Sequence, residues 1–426
     1  MIQKDFLFQV PNINANDAHI KKLKYDVSKN SILDFKKGLS KEEYLCICSG
    51  GTTSSCAKND LITIDLRKNY SQISFNEKTE IVTIGGGVLM GNLLEYLDGF
   101  GRTFPIGLSA LPGVGYILSG GVSPLTRIYG LAVDNIVSIN GYLGTGDYFS
   151  LNTNNINKKG FKLLEGIKGA APFFSIVTEI GLKTYKSYPI LILEGFVNEE
   201  ELSELITLSE EFPNNCSLQW LYSDKIYIYI VVELKAENLQ KTIGKYIFDF
   251  KRYTFIKSKI YKSFNHIKFF PKTLNLFEFN KNNHSEVISL LGEDLKDNVY
   301  SFIKDLIKIN SNKPNKSCYV ASQQMGGKSK DDYGNSSFFI HRESTWKPWI
   351  YASWEKNNIK EKEIAMNWLR ESWLVLKKYF PNIHLSQLHT HLNFHEEEVH
   401  LAFGNKLNDL KLLKKIYDPS GILPPL

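Results

Sequence analysis

The stretch FPIGLSALPGVGYILSGGVSPLTRIYGLAVDN, residues 104–135, decides how this chain is read. Glycines stand at 107, 113, 115, 120, 121 and 130, an Asp134-Asn135 pair closes the run, and Arg127 is its one basic residue. Glycine lets backbone turn through positive φ or approach a ligand closely. The interleaved Leu, Ile, Val, Pro and Tyr exclude a loose linker, which would be Gly/Ser-rich and polar. The stretch reads as backbone wrapped around something flat.

Upstream, YLCICSGGTTSSCAKNDLITIDLRKN (44–69) gives a strand over 44–48, a turn of small residues over 49–55 and a second strand over 61–66. Such a turn presents several N–H groups on one side, a nest for phosphate; a plain polar connection has the same composition. A helix is expected near 39–46. Residues 73–84 form a hairpin, 88–98 a helix, and 136–151 two strands around a glycine turn. A helix, a small-residue turn and a strand from 175 to 185 follow.

Past residue 187 the texture changes. Residues 217–234 are a hairpin whose second arm is apolar on both faces, hence a central strand. Helical spacing shows in places over 286–308. Strands are expected at 316–327, ending in a glycine turn, and at 336–344 and 349–356. Residues 361–380 form an amphipathic helix with Trp368 and Trp373 in the core. If 388–395 is extended, period 2 places Leu388, Thr390, Leu392 and Phe394 on one face and His389, His391, Asn393 and His395 on the other. That polar face looks into a cavity or solvent; a His-x-His metal site is the sharper alternative. A last helix lies near 406–416.

The 426 residues are 43% hydrophobic and 23% charged, ample for a core and for two or three domains or one two-lobed unit. The net charge of +6 is spread through the chain, which does not favour nucleic acid. Five cysteines, odd in number and sparse, point to a reducing compartment, and Cys46 and Cys48 read as buried small hydrophobes. Residues 1–16 have no apolar core of a signal peptide, and no window of eighteen apolar residues suggests a membrane span. A cytoplasmic protein is expected.

The ordered series of motifs resembles the FAD-binding domain of the vanillyl-alcohol oxidase/p-cresol methylhydroxylase superfamily. Ser49–Gly51 resembles its pyrophosphate loop, 61–66 the strand that follows, SGGVSPLTRIYGLAVDNIVSI its second signature and LLEGIKGAAPFFSIVTEI its third. Gly326-Gly327, His341-Arg342, Trp354 and the tail HLNF…LAFGNKLNDLKLLKKIYDPSGIL are similar to the berberine-bridge-enzyme-like branch. The resemblance covers about 45–190 and 316–426.

It implies an α+β fold: a two-part FAD-binding domain of the p-cresol methylhydroxylase type plus an α+β substrate domain with an antiparallel sheet. The implied domains are 1–187 (FAD-binding), 188–383 (substrate) and 384–426, a C-terminal segment returning to the first. FAD is the implied cofactor. Its implied contacts are Ser49, Gly50, Gly51, Thr52, Thr53, Gly107, Leu108, Ser109, Gly113, Gly115, Ser119, Gly120, Gly121, Asp134, Asn135, Ile176, Val177 and Asn405. Many relatives tether FAD through a histidine and a cysteine, where this chain has Thr52 and Ser109, so a non-covalent FAD and a milder oxidant are expected. Lys168 and Ala170 replace the Arg and second Gly of the third motif.

The implied activity is hydride transfer from a CH–OH substrate, a sugar or secondary alcohol, to flavin N5. His391 stands where relatives carry a tyrosine and would take the hydroxyl proton, with His389 the second candidate and Asn393 orienting. The partners would be a small-molecule substrate and, as acceptor, oxygen or an electron carrier. The competing readings are a 2-hydroxy-acid or amine dehydrogenase with a non-oxygen acceptor and a catalytically degenerate flavoprotein-like binding protein.

Overall fold

The computed structural model describes residues 20–40, 43–106, 109–235, 253, 257–267, 283–331, 337–386, 388–390 and 392–426, except the side chain of Ser54. Besides a two-stranded pairing of Arg102–Thr103 with Tyr185–Lys186, three larger sheets carry the architecture. The smallest of these is parallel, with Ile62–Asp65 between Lys22–Lys24 and Cys46–Cys48. Parallel neighbours need a crossover, and the helix Lys29–Gly38 lies between the first two strands in sequence. Its start is fixed by a reciprocal capping box: Ser31 N donates to Ser28 Oγ (3.1 Å) and Ser28 N to Ser31 Oγ (2.8 Å). Ile32 and Phe35, one turn apart, are its buried side. The helix expected at 39–46 therefore lies earlier; at Leu39 the backbone is already extended.

The second sheet is antiparallel, in the order Ile73–Asn76, Ile81–Gly85, Ser175–Lys183, Ile136–Leu143, Tyr148–Asn152. Its central strand, Ser175–Lys183, is buried along nearly its whole length. The helices Met90–Asp98 and Lys158–Ala170 accompany this sheet. Between them the decisive stretch folds into two short helices, Val114–Leu118 and Thr126–Tyr129, and a 3-10 turn, Ala132–Asn135. Most of it is buried.

The third sheet has eight strands, each antiparallel to its neighbours. The order is Lys257–Tyr261, Ile190–Val197, Ile226–Glu233, Cys216–Tyr222, Tyr319–Gln324, Trp346–Glu355, Asn283–Leu291, Asn382–Ile383. Helices Glu199–Glu210, Val299–Ser311 and Ile359–Leu376 cover one face. Trp220 meets Phe302 there, ring centroids 6.0 Å apart, and Gln324 Nε2 donates to Ser209 O at 2.6 Å. Trp368 and Trp373 are buried in this layer, as expected. The opposite face looks toward the glycine-rich stretch: Ser217 Oγ donates to Pro124 O at 2.9 Å. No helix among the described residues is long and apolar enough to cross a membrane.

Three expectations need correction. Part of 286–308 is strand: Asn283–Leu291 pairs with Trp346–Glu355, and only Val299–Ser311 is helical. The described part of 336–344 is not a strand, because its backbone serves other partners; Phe338 N donates to Lys168 O at 2.6 Å and Arg342 N to Ile340 O at 2.9 Å. The described residues of 388–394 are not extended either. Leu392 N turns back to His389 O at 2.7 Å, and a helix, His395–Phe403, begins at once. The tail then returns to the first two sheets. Thr145 N donates to Tyr417 O (3.0 Å) and Leu45 N to Ile422 O (2.8 Å).

Candidate active site

Two glycine turns meet backbone to backbone. A Cβ on Gly50 would lie 2.3 Å from Gly113 N, and one on Gly113 would lie 2.5 Å from Gly50 N. Ser49 stitches them together: its Oγ donates to Gly86 O at 2.6 Å and accepts from Gly115 N at 3.2 Å. The second turn is itself pinned to the start of Met90–Asp98, with Met90 N donating to Pro112 O and Gly91 N to Ala110 O, both at 2.9 Å. Gly51 turns through φ +72°, which favours glycine. Among the described residues, the N–H groups of 51–55 make no backbone hydrogen bond.

This is the donor set of an anion nest. Beside it stands a cation that the sequence reading passed over. Arg67 Nη1 lies 2.8 Å from the Cβ position of Gly51, and its guanidinium pairs with Asp65 at 2.8 Å. Burial works against the Arg67 charge, but Asp65 outweighs it and raises the pKa. A diphosphate fits these residues. Thr52 and Thr53 are half-buried in the same turn, with Thr53 Oγ1 3.1 Å from Ser55 Oγ.

The rest of the expected contacts divide. Ser109 is half-buried and its Oγ accepts from Leu111 N at 3.2 Å; Gly107 and Leu108 lie outside the described residues. Ser119 Oγ donates to Tyr116 O at 3.1 Å. Gly120 and Gly121, at φ +127° and +71°, are turned into protein: their carbonyls accept from Val133 N and Ala132 N, both at 3.0 Å. Ile176 and Val177 sit in the sheet ladder opposite Tyr142 and Gly141. Asn405 is exposed on the turn Gly404–Lys406.

Asp134 and Asn135, expected to contact the cofactor, instead spend their side chains on protein. The Asp134 carboxylate takes both Arg342 nitrogens (2.7 and 2.6 Å) and Leu131 N (3.1 Å). Asn135 donates to Leu131 O at 2.9 Å and accepts from the Tyr185 hydroxyl. Arg127 donates to Met325 O and Phe212 O, both at 2.7 Å, and Tyr129 Oη to Glu233 at 2.5 Å. These side chains lock the glycine-rich stretch onto the large sheet. Arg342→Met leaves a nearly buried carboxylate unpaired, and a loss of about 3 kcal/mol is expected in urea unfolding; Arg342→Lys, which keeps the charge but not the fork, recovers only part.

His391 lies outside the described residues. Its neighbour Thr390 is held by Lys58 and by Tyr44 Oη at 3.1 Å. Asn393 is exposed. His389 is not placed to act as a base. It is buried, with Nδ1 2.8 Å from Glu398 and Nε2 3.2 Å from Glu286. Burial alone would lower its pKa, but the two carboxylates outweigh burial and raise it to about 10. An imidazolium so held has no lone pair for a substrate proton. It also lies on the wrong side of the sheet, since Glu286 pairs with Ala352 and so points to the face opposite Lys347.

The face toward the glycine-rich stretch carries a polar row that sequence reasoning missed. Register places Tyr229 opposite Gln219, Gln219 opposite Gln323 and Gln323 opposite Lys347, so four adjacent strands each contribute one side chain. All four are buried. No local signal marked it: Gln323 stands inside the polar run 322–324, and only strand register brings it beside Lys347. Burial lowers the Lys347 pKa to about 8. His384 joins from the other side: its Nε2 donates to Ser119 O at 3.0 Å, and burial together with the charge of Lys347 keeps the ring neutral.

Residues 40–152 match a family model described as an FAD binding domain. The chain is 33% identical to the (R)-6-hydroxynicotine oxidase of Paenarthrobacter nicotinovorans over 189 residues, which are 43% of this chain and 39% of that protein. It is 25% identical to an FAD-linked oxidoreductase of Dictyostelium discoideum over 87% of this chain and 79% of that one. The berberine bridge enzyme from Eschscholzia californica superposes with a TM-score of 0.78 at 16% identity, over 100% of this chain and 94% of that one. The first of these matches thus spans well under half the length of its relative. FAD is the cofactor these likenesses give, and the diphosphate nest with its close-packed glycines fits it.

Proposed function

We propose, for a chain that belongs to the vanillyl-alcohol oxidase/p-cresol methylhydroxylase superfamily in its berberine-bridge-like branch, that it is an FAD-dependent oxidoreductase of CH–OH substrates, with FAD held non-covalently. The observation that carries the reading is the paired glycine turn beside an open row of N–H donors, with Thr52 and Ser109 where a tether would have to form. When bound, FAD would supply the two-electron acceptor for oxidation of the substrate C–H. The chain's own residues do the rest. The 49–55 turn and Arg67 hold the diphosphate. Residues 1–187 with 384–426 form the flavin domain, and 188–383 present the substrate face.

His391 takes the hydroxyl proton, which needs a neutral imidazole near physiological pH. The neighbouring Thr390 hydroxyl is held by Lys58 and Tyr44. Neutral His384 presents a bare Nδ1 and orients without titrating. Burying the polar row excludes water from the reacting carbon.

The test is anaerobic mixing with a panel of sugars and secondary alcohols while the visible flavin band is followed. Bleaching is expected, and its absence with every CH–OH compound counts against the reading. Admitting air separates the acceptors: rapid return of colour with peroxide marks an oxidase, and return only with an added electron carrier marks a dehydrogenase.

A further inference from the structure

We propose that the CH–OH substrate carries a carboxylate, and that Lys347 receives it while Gln323 and Gln219 on the same strand row hydrogen-bond the oxygen-bearing carbon chain. This rests on the oxidoreductase reading above and narrows its substrate class to hydroxy acids.

Lys347 is 5% exposed, and among the described residues its ammonium makes no ion pair or hydrogen bond. Its neighbour is the Trp349 ring, whose centroid is 5.2 Å away. A buried cation with no counter-charge is rare, because desolvation penalises it. No acidic side chain among the described residues lies within ion-pair distance of its ammonium. Titratable groups on that face include His384, kept neutral by burial, and Tyr229, Tyr319 and Tyr351, whose hydroxyls burial keeps protonated. No group among the described residues therefore balances the charge, and an anion arriving with the substrate does.

The neighbours in the row are unsatisfied in a complementary way. Gln219 donates to Ser217 Oγ at 3.0 Å, which leaves its buried Oε1 without a partner, and Gln323 Nε2 is buried without one as well. One acceptor, one donor and one cation thus lie side by side on three adjacent strands. Hydroxyl, carbonyl and carboxylate oxygens on neighbouring carbons match that order. A neutral sugar would satisfy the amides and leave the ammonium unpaired. The row lies under the flavin cradle, since Ser217 on the same face reaches Pro124 O and His384 reaches Ser119 O. The stacked pair Tyr319 and Tyr351 (4.7 Å, 11°) fills the face on one side of the row.

The test uses the flavin-loaded protein and two readouts. In the first, D- and L-lactate, D- and L-mandelate and glucuronate are compared with 1,2-propanediol, 1-phenylethanol and glucose as anaerobic reductants. The acids are expected to half-saturate at lower concentration. In Lys347→Met the acid-over-alcohol preference should collapse by about tenfold or more, the loss of one charge-assisted hydrogen bond. Lys347→Arg should retain most of it. In the second readout, benzoate, which has no hydroxyl to oxidise, perturbs the flavin spectrum of the wild type and not of Lys347→Met. Equal response to acids and alcohols in both proteins, or no effect of benzoate on the wild type, overturns the proposal. Bleaching by neither panel with a Lys347-dependent benzoate shift would sink the oxidoreductase reading and leave the anion site standing.

Discussion

Gly50→Ala is expected to purify with little or no flavin. Its new Cβ would sit 2.3 Å from Gly113 N, 2.9 Å from Pro112 C and 3.0 Å from Gly113 Cα. All three are backbone atoms, so no side chain can swing aside. The facing turn cannot retreat, because Met90 N holds Pro112 O and an isolated bridge joins Leu89 to Gly113. The clash resolves only by parting the two turns and opening the nest. Overpacking of this kind costs about 1–3 kcal/mol, and if that falls on the FAD-bound form, affinity drops by roughly 10- to 100-fold. Flavin-to-protein ratio and a fluorescence titration with FAD read the effect. At Gly115 the nearest protein atom to a new Cβ is 3.9 Å away, so a flavin loss in Gly115→Ala reports contact with the cofactor rather than between turns. A fully loaded Gly50→Ala protein would contradict the packing of the two turns.

His389→Leu is expected to lose about 3–5 kcal/mol of stability, because it strands Glu286 and Glu398, both buried, without their shared cation. The wild type should also show a pH signature. His389 has a folded pKa of about 10 against an unfolded value of 6.5. Its contribution is complete below 6.5, falls by about 1.4 kcal/mol per pH unit above that, and is lost as pH passes about 10. Glu398 works in the opposite sense. Burial raises its pKa, but His389 outweighs burial and holds it below 4.5, so its contribution is present above 4.5 and lost as pH falls through the lowered value. Urea midpoints across the alkaline range should decline in the wild type and flatten in His389→Gln. An equal slope in both would mean that the imidazole is not the cation of this cluster.

What the sequence made legible was local. Glycine spacing, the small-residue turn at 49–55 and the hairpin at 217–234 are set by neighbours in the chain, and they stand where their patterns put them. What it hid was set by distant partners. The family resemblance implies a cofactor contact at Asp134, yet its carboxylate pairs with Arg342, 208 residues away. His389 and its alternating neighbours mimic a strand, but Glu286 from the large sheet and Glu398 from the following helix claim the ring. Lys347 was hidden differently: it stands just before the expected strand 349–356, and only strand register aligns it with Gln323 and Gln219.

The central claim is that the cradle of 49–55 and 104–121, with Arg67 beside it, holds FAD without a covalent bond. Acid precipitation of the purified yellow protein tests it most directly. The account predicts FAD in the supernatant and a denatured chain whose mass is that of the polypeptide. Flavin in the pellet, with a mass raised by one FAD, would contradict it.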